Sequence, residues 1–226
     1  MNQFDHKLSA SLLGTGIYSV SEASRLTGVS SSRIRRWLSG HHAGGKHYDR
    51  LWKSQIQIGE ETFLGFRDLT EARVAAAFIS AGLPAQKIRR AIEIAREKYG
   101  IDRPLSTNSF RTDGKTVFLV LAAETGEGVV DVLGDQFVFK KIIEPSFKGL
   151  VFDNNGIPVR WNIAPYIVID PNYSFGQPMD AETMVPTQVL ARAAIAEGSE
   201  EAAAKAYDVP LRSVRRSVAF EQRLAA

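Results

Sequence analysis

Cysteine is absent from all 226 residues of the chain. Disulfide bonds are therefore excluded, and so is a thiolate site for a soft metal ion. The absence is consistent with a reducing compartment, and we expect a cytoplasmic protein. No apolar run approaches the ~18 residues that a membrane span requires, and residues 1–7 lack the basic and apolar regions of a signal peptide. We therefore expect no membrane association.

Catalytic signatures are also missing. The sequence has no Gly-x-Ser-x-Gly elbow, no Walker-type phosphate loop and no Cys/His set at metal-ligand spacing. The four histidines are His6, His41, His42 and His47, and Asp49 is the carboxylate close to them in sequence. A Gly-rich loop with histidines is more typical of a flexible, phosphate-facing segment than of a metal site. We expect neither an enzyme nor a metal or organic cofactor.

Positive charge is concentrated at the N-terminal end. Residues 1–58 contain eight Lys or Arg against three Asp or Glu, whereas the rest of the chain has twenty basic and twenty-two acidic residues. The net charge of +3 hides this asymmetry. A basic end on an otherwise balanced chain is typical of a protein with a polyanionic partner.

A short capped helix, a turn and a second helix are predicted in this basic region. Ser19 and Glu22 have the spacing of a capping box, and Gly28 is well placed to end the helix in the left-handed conformation. In the second helix, Ile34 and Leu38 share one apolar face, which leaves basic side chains on the outer side. This arrangement places a recognition helix in the major groove of DNA.

The outer face of the second helix supplies the first candidate DNA contacts. Guanidinium groups there can reach phosphates or guanine edges. A solvated charged face is the alternative interpretation. The candidates on this helix are Ser31, Ser32, Arg33, Arg35 and Arg36.

A basic, Gly-rich segment follows the second helix. A hairpin is predicted around residues 59–61, because apolar side chains alternate loosely on both sides, at Ile56, Ile58, Phe63 and Phe66. A basic wing beside a basic helix would touch the flanking DNA backbone without reading sequence. The candidate wing contacts are Lys46, Arg50 and Lys53.

Residues 17–94 resemble the winged-helix DNA-binding region of the MerR family. The matching stretches are Tyr-Ser-Val-Ser-Glu-Ala-Ser-Arg-Leu-Thr-Gly-Val at 18–29, Phe-Arg-Asp-Leu at 66–69, Ser-Ala-Gly-Leu-Pro at 80–84 and Ile-Arg-Arg-Ala-Ile at 88–92. The resemblance implies two further helices after the wing. The second helix departs from the family, because Arg-Arg-Trp-Leu at 35–38 replaces a Tyr-rich stretch, and the wing is longer and Gly-rich.

The middle of the chain has a β-like pattern. After a polar linker at 104–109, apolar runs at 116–121, 129–132 and 136–143 are separated by the turn dipeptides Asp113-Gly114 and Gly134-Asp135. A hairpin turn is predicted at Asn154-Asn155-Gly156, and Phe118, Phe137 and Trp161 are predicted core residues. The resulting small antiparallel sheet could form a ligand pocket, a dimer interface or a platform for a protein partner.

The last sixty residues resemble the "domain of unknown function 433" family, known as VapB-type antitoxins paired with PIN-like ribonuclease toxins. The matching stretches are Ile-Val-Ile-Asp-Pro at 167–171, Phe-Gly-Gln-Pro at 175–178, Val-Pro-Thr at 185–187, Glu-Gly-Ser at 197–199 and Tyr-Asp-Val at 207–209. The resemblance continues to about Leu224. One departure is Glu-Thr-Met at 182–184, where the family often has Gly-Thr-Arg, so any role of that arginine cannot be transferred.

The C-terminal segment also has a helix-turn-helix pattern. Ser199 is placed to cap an alanine-rich helix, and Arg212, Arg215 and Arg216 are predicted to face outward from the helix that follows Pro210. These three arginines are further candidate DNA contacts. The segment nevertheless has six basic against eight acidic residues, so dimerisation or partner binding remains as plausible a use of this unit as DNA contact.

These patterns predict an α+β, mostly helical protein with three domains. They are a winged helix-turn-helix at 1–103, a small antiparallel β-rich region at 104–166 and a helix-turn-helix-like helical domain at 167–226. We expect a homodimeric antitoxin that binds a PIN-like toxin and represses its own operon through operator DNA. The alternatives are a MerR-like regulator that senses a small molecule and an interaction scaffold in which both helix-turn-helix units serve assembly.

Overall fold

The computed structural model describes residues 14–58, 61–125 and 136–225. The chain is mostly helical with small antiparallel sheets, as predicted. By their internal contacts, the described residues of 18–58, 61–125, 136–148 and 152–158 form one compact unit, and residues 14–17, 149–151 and 159–225 form the other. We call them the N-terminal and C-terminal units. The predicted domain boundaries at residues 103 and 166 stay a prediction.

The N-terminal unit combines helices with two small sheets. Its helices are α1 (Val20–Thr27), α2 (Ser31–Ser39), α3 (Phe66–Ser80), α4 (Ala85–Tyr99), α5 (Asn108–Thr125) and α6 (Gln136–Phe147), with a 3-10 turn at Pro104–Ser106. Its strands are β1 (Tyr18–Ser19), β2 (His41–Ala43), β3 (Lys46–Tyr48), β4 (Ile56–Ile58) and β5 (Glu61–Leu64). Antiparallel pairing gives a three-stranded sheet in the order β1-β5-β4 and a separate β2-β3 hairpin.

Helix α1 begins and ends as its sequence predicts. The Ser19 hydroxyl accepts the backbone N–H of Glu22 at 3.2 Å, and the Glu22 carboxylate accepts the backbone N–H of Ser19 at 2.8 Å. Gly28 ends the helix with φ +73°. The capping box and the glycine stop are therefore confirmed.

The strands predicted at 116–121 and 136–143 are wrong, because these residues lie in α5 and α6. The apolar runs pack at helical spacing onto α3, where four rings lie with centroids 4.9–6.3 Å apart. The rings belong to Phe78, Phe110, Phe118 and Phe139, all at most 3% exposed. A buried helix that is apolar on several sides cannot be distinguished from a buried strand by periodicity alone. The run at 129–132 and the side chain of Phe137 lie outside the described residues.

The turn predicted at Asp113-Gly114 and the polar linker predicted at 104–109 are also wrong. Asp113-Gly114 lies inside α5, where a Cβ on Gly114 would come within 2.9 Å of the Phe139 ring and 3.0 Å of the Phe110 ring. The glycine therefore makes room for the aromatic cluster rather than a turn. The predicted polar linker begins as the 3-10 turn Pro104–Ser106, which is buried.

The C-terminal unit places three helices beside a four-stranded sheet. Its helices are α7 (Thr187–Ala196), α8 (Glu200–Ala206) and α9 (Leu211–Ala225). The sheet has the order β6-β7-β8-β9, formed by β6 (Leu150–Phe152), β7 (Pro158–Ala164), β8 (Ile167–Ile169) and β9 (Met179–Asp180). Residues 152–158 group with the other unit. They contain the predicted hairpin turn, in which the Asp153 carboxylate accepts the backbone N–H groups of Asn155 and Ile157.

The three helices share one apolar core. It is built from Leu190 and Ala193 of α7, Ala203 and Ala204 of α8, and Val214 of α9. Ser199 caps α8 by accepting the backbone N–H of Ala202 at 3.0 Å, as predicted. Trp161, on β7, is 5% exposed and Phe118 is 1% exposed, so both predicted core positions are confirmed.

Candidate nucleic-acid interface

Helix α2 has two exposed arginines, Arg35 and Arg36, and one half-buried arginine, Arg33. Ile34, Trp37 and Leu38 are at most 6% exposed and seat the helix on the N-terminal unit. Within the described ranges, none of Arg33, Arg35 and Arg36 has a side-chain hydrogen bond or an ion pair, and Arg35 and Arg36 are exposed. These three guanidinium groups are therefore not engaged in ion pairs within the described residues, although Glu61 and Asp49 line the concavities beside them.

Three serines occupy the start of α2. Ser30 occupies the N-cap position, and its hydroxyl lies 3.4 Å from the Ser32 hydroxyl without making a cap hydrogen bond to the backbone. Ser31 is half-buried and Ser32 is exposed. At least Ser32 therefore has a hydroxyl accessible beside the arginine face.

The hairpin predicted around residues 59–61 corresponds to the antiparallel pair β4-β5, of which residues 59 and 60 lie outside the described residues. The Gly-rich segment directly after α2 forms a second hairpin, β2-β3, with Gly44 and Gly45 at its tip, and we call this hairpin the wing. Both glycines have positive φ, +56° and +75°, which is the backbone that a two-residue hairpin turn with right-handed strand twist requires. Lys46 is exposed in β3. Arg50 and Lys53 are exposed in the irregular segment that follows the hairpin, so the three predicted wing residues share one stretch after α2.

Two backbone attachments fix the base of the wing beside α2. The backbone N–H of Leu51 donates to the Trp37 carbonyl at 2.7 Å. From α4, the Arg89 guanidinium donates to the Arg50 carbonyl at 3.0 Å and also to the Asp49 carbonyl. Sequence reasoning missed this role of Arg89, because acceptors some forty residues away carry no local signal.

The histidines of the wing contact one another rather than forming a metal site. His47 lies 3.2 Å from the His42 ring nitrogen and 3.1 Å from the Asp49 carboxylate, and the His41 ring stacks on Tyr48 with centroids 4.9 Å apart. In the part of the chain that the structure describes, no three His, Asp or Glu side chains are grouped to hold a metal ion.

Two concavities adjoin α2. One, of about 490 Å³, is lined by Ser19, Ser21, Arg35, Arg36 and Glu61 among others. The second, of about 460 Å³, is lined by Arg33, Arg36, His41, Asp49 and Arg89 among others. Arg36 contributes to both concavities. An arrangement of this kind can take phosphate groups beside a helix that enters a groove of DNA.

A buried carboxylate network holds the segment that follows the wing, at residues 52–55, against α3. Asp68, fully buried on α3, accepts hydrogen bonds from both main-chain and side-chain donors. The donors are the indole of Trp52, the hydroxyl of Ser54, the backbone N–H groups of Gln55 and Gly65, and the guanidinium of Arg103. Arg103 also donates to the Lys53 carbonyl at 2.9 Å. The sequence could not have revealed this network, because Asp68 and Arg103 are 35 residues apart.

Glu71 lies in the same network with no exposed surface. One carboxylate oxygen accepts the backbone N–H of Ser106 at 3.0 Å, and Oε2 has no hydrogen-bond partner among the described residues. Burial raises the pKa of Glu71 to about 7, because the loss of hydration outweighs the attraction of Arg103.

The C-terminal candidates Arg212, Arg215 and Arg216 differ from the arginines of α2 because they form ion pairs with carboxylates. All three project from α9 and make ion pairs within their own unit. Arg212 pairs with Glu182, Arg215 pairs with Glu200 and Glu201, and Arg216 pairs with Asp180 and Glu182. A guanidinium that already has carboxylate partners offers less to a phosphate, so these residues are weaker candidates for DNA contact than those of α2.

The ion pairs with Arg212 and Arg216 stabilise the charged forms of the Asp180 and Glu182 carboxylates. Hydrogen bonds from Arg212 and Arg216 lower the pKa of Glu182 to about 2. Burial alone would raise the pKa of Asp180, but hydrogen bonds from Arg216 and Thr183 outweigh it and the pKa is lowered. The Arg216 guanidinium also lies 4.8 Å from the centre of the Tyr166 ring.

Comparison with known proteins gives one sequence relative and one similar structure of note. The chain is 27% identical over 182 residues to a Mycobacterium tuberculosis protein named "Putative antitoxin VapB45", covering 72% of this chain and 76% of that protein. Its fold is similar to the crystal structure of Rv2018 from Mycobacterium tuberculosis, with a TM-score of 0.63 and 25% identity, covering 89% of this chain and 96% of that one. No family model matches the chain.

Among the described residues, no helix is both long and apolar enough to cross a membrane.

Proposed function

We propose that this protein is a VapB-type antitoxin and a regulator rather than an enzyme. It binds a PIN-like ribonuclease toxin directly and represses its own operon by binding operator DNA. The antitoxin half of the proposal is supported by the mycobacterial relative, whose similarity extends over 182 residues and therefore beyond either end alone. The proposal that it binds DNA rests on Arg33, Arg35 and Arg36 of α2, which make no ion pair within the described residues.

In this proposal α1, the turn at 28–30 and α2 act as a helix-turn-helix of the MerR-like winged type. Arg33, Arg35 and Arg36 enter the major groove with Ser31 and Ser32 at the start of the helix. The wing cations Lys46, Arg50 and Lys53 neutralise flanking phosphates. The two concavities that adjoin α2 support this assignment, because each is lined by arginines of that helix.

A homodimer would address two operator half-sites. Helix-turn-helix dimers bind half-sites separated by about one helical turn, roughly 34 Å, or a multiple of it. We therefore expect a two-fold symmetric operator upstream of the operon, which footprinting of the purified protein on that DNA would reveal.

The DNA half is tested by the salt dependence of operator binding. Because each cation that neutralises a phosphate contributes about one unit to the slope of log affinity against log salt, Arg33→Ala with Arg36→Ala should lower the slope by about two. Arg212→Ala with Arg215→Ala is the matched control, since these exposed arginines already have carboxylate partners. An unchanged slope in the α2 variant would exclude α2 as the recognition helix.

The toxin half is tested by affinity purification of the full chain from its native cell. A stoichiometric companion, identified by mass spectrometry as a small acidic PIN-like protein from the same operon, is the expected result. Absence of any stoichiometric partner, from a preparation that still binds its upstream DNA, would contradict the antitoxin assignment.

One observation favours the second candidate, a ligand-sensing regulator. A mostly apolar concavity of about 300 Å³ lies between α4 and α5, lined by Tyr99, Phe110 and Val117 with Asp113 at its edge. That volume is at the lower end of small-molecule sites. This alternative predicts that a small apolar ligand changes operator affinity and that no obligate protein partner exists.

A further inference from the structure

Two histidines face each other across the wing. His42 of β2 and His47 of β3 are directly opposite in the antiparallel register, and both are exposed. The Nδ1 atom of His47 lies 3.2 Å from the Nε2 atom of His42, and the Nε2 atom of His47 lies 3.1 Å from the Asp49 carboxylate. The three side chains therefore form one hydrogen-bonded chain. We call His42, His47 and Asp49 the wing relay.

The donors and acceptors of the wing relay follow from its acidic end. A carboxylate only accepts hydrogen bonds, so the His47 Nε2 atom carries the hydrogen that it donates to Asp49. In the neutral pair the His47 Nδ1 atom is then an acceptor, and the His42 Nε2 atom donates to it. Because His42 uses its hydrogen in that bond, its Nδ1 atom presents a lone pair. Within the described residues this Nδ1 atom has no hydrogen-bond partner.

The wing relay can accept one proton without losing a hydrogen bond. A proton added at His42 Nδ1 keeps both bonds of the relay and turns that atom from an acceptor into a charged donor. A second proton would place two N–H groups head to head between the rings, where two like charges also repel. Histidine is the side chain whose charge ordinarily changes between about pH 5 and pH 8, which sets the pH range for a test.

The wing relay lies among more cations than anions. The charged and titratable groups near it are Asp49 itself, His41, Lys46 and Tyr48 of the hairpin, Arg89 of α4, whose guanidinium donates to the Asp49 carbonyl, and Arg33 and Arg36 of α2, which line one concavity with Asp49. Asp49 favours the added proton, whereas the cations oppose it. A phosphate beside the wing reverses this opposition, because its negative charge attracts the proton and the cations alike. Proton uptake and phosphate binding therefore favour each other.

We propose that the wing relay is a phosphate contact of the operator complex, and that each wing takes up one proton when it binds DNA. The protonated Nδ1 of His42 donates to a phosphate oxygen, while His47 and Asp49 hold the ring in place. Operator affinity consequently falls as pH rises. The inference rests on the proposed DNA binding and adds to that site two contact residues and a proton-linked regulation.

The experiment measures the operator affinity of the full chain at pH 6 and pH 8 at constant salt, with the DNA upstream of its own operon as the probe. His42→Gln with His47→Gln removes the proton site, and His42→Arg places a permanently charged donor there. His41→Gln is the matched control, because His41 is the neighbouring residue of β2 and belongs to the other face of the hairpin, where its ring stacks on Tyr48.

Two further measurements separate the wing relay from other effects. Calorimetry at pH 7, in buffers of different ionisation enthalpy, counts the protons taken up on DNA binding, and circular dichroism checks the fold of each variant. Glu71, whose buried carboxyl has a pKa raised to about 7, is present in every variant and changes all of them alike. Only the difference between variants is therefore assigned to the relay.

We expect wild-type affinity to fall by about 3-fold or more for each wing between pH 6 and pH 8, the size of one exposed charge contact. The double glutamine variant should bind at both pH values as the wild type does at pH 8, and His42→Arg should bind at pH 8 as the wild type does at pH 6. His41→Gln should behave as the wild type does. Uptake of about one proton per protomer should disappear in both His42 variants.

Two outcomes would count against the inference. Equal pH dependence in the wild type and the double glutamine variant, or equal proton uptake, overturns it and leaves the proposed DNA binding intact. If the wild type binds this DNA at neither pH, the proposed DNA binding fails and takes the inference with it.

Discussion

Glu71 and the backbone N–H of Ser106 are joined by a hydrogen bond of 3.0 Å in the interior of the N-terminal unit. This bond ties α3 to the 3-10 turn at Pro104–Ser106. The carboxyl has no exposed surface and a pKa raised to about 7. A buried acid that titrates near neutrality makes the stability of the unit depend on pH.

Replacing Glu71 with Gln should stabilise the protein at alkaline pH. The folded-state pKa of about 7 lies above the ordinary value of 4.5, so the wild type loses stability as pH rises through this window and carries the full penalty above it. The shift corresponds to a penalty of about 3 kcal/mol, which Glu71→Gln removes at pH 8 and hardly affects at pH 4.5. Urea unfolding at both pH values measures this. Glu97→Gln, at an exposed position of α4, is the control, and parallel pH profiles for wild type and Glu71→Gln would refute the prediction.

Replacing Asp68 with Asn should strongly destabilise the N-terminal unit. The change removes the buried carboxylate closest to the Arg103 guanidinium, which among the described residues keeps only the exposed Asp102 at 3.8 Å, and it disrupts the acceptor of several buried donors. Breaking a buried ion pair from one side costs about 3–5 kcal/mol. Thermal and urea unfolding should show this loss, while Asp102→Asn, whose carboxylate is 80% exposed, should differ little from the wild type. A small effect of Asp68→Asn would mean that the network contributes little to the stability of the unit.

Acid should destabilise the C-terminal unit through Asp180 and Glu182. Both carboxyls have lowered pKa values, that of Glu182 reaching about 2. A lowered pKa gives stability that is present above the ordinary values near 4 and is lost as pH falls toward the folded-state values. Thermal unfolding between pH 5 and pH 2 should therefore show a steep loss in the wild type. Arg216→Met removes a partner of both carboxylates and should flatten this dependence; an equally steep profile in the variant would assign it to other groups.

Replacing Gly40 with Ala should weaken operator binding with little change in its salt slope. Gly40 has φ +73°, and a Cβ there would lie 2.6 Å from the Tyr48 carbonyl oxygen, so the wing must shift relative to α2. Gly198→Ala is the matched control, because Gly198 has φ +79° with no atom within 4 Å of the added Cβ and lies in the other unit. Both changes cost stability through backbone strain, but operator affinity should fall for Gly40→Ala alone. Equal effects of the two changes on DNA binding would indicate that the wing position is irrelevant.

Local signals were enough to predict part of the fold and of the candidate site. The capping box at Ser19 and Glu22, the stop at Gly28, the cap at Ser199 and the turn after Asp153 each depend on residues within a few positions of one another. Helix start and stop signals act through hydrogen bonds of that range. For the same reason the exposure of Arg35 and Arg36 could be predicted from the spacing of the buried residues of α2, whereas Arg33 is half-buried.

The prediction of secondary structure failed where packing against distant residues decides between a strand and a helix. The run at 116–121 is rich in β-branched and aromatic residues, which favour strands, yet it is helical because Phe118 packs against Phe78 and Phe139 from neighbouring helices. From sequence alone Asp113-Gly114 indicates a turn. In the structure Gly114 lies in a helix, where the Phe110 and Phe139 rings occupy the space that a side chain at this position would need. Such partners are distant in sequence and leave no local mark.

The sequence by itself determined the local helix boundaries, the basic N-terminal end and the exposed arginine face of α2, because each depends on spacing and composition over one or two turns. The tertiary structure alone decided which charges are free. It placed Glu182, Glu200 and Glu201 against Arg212 and Arg215, it buried Asp68 with Arg103, and it left Arg192 without a partner in the described chain. Whether a charged side chain can bind a partner depends on its distance from the opposite charges of the same protein. These charges are often far apart in sequence, so only the fold sets the distances.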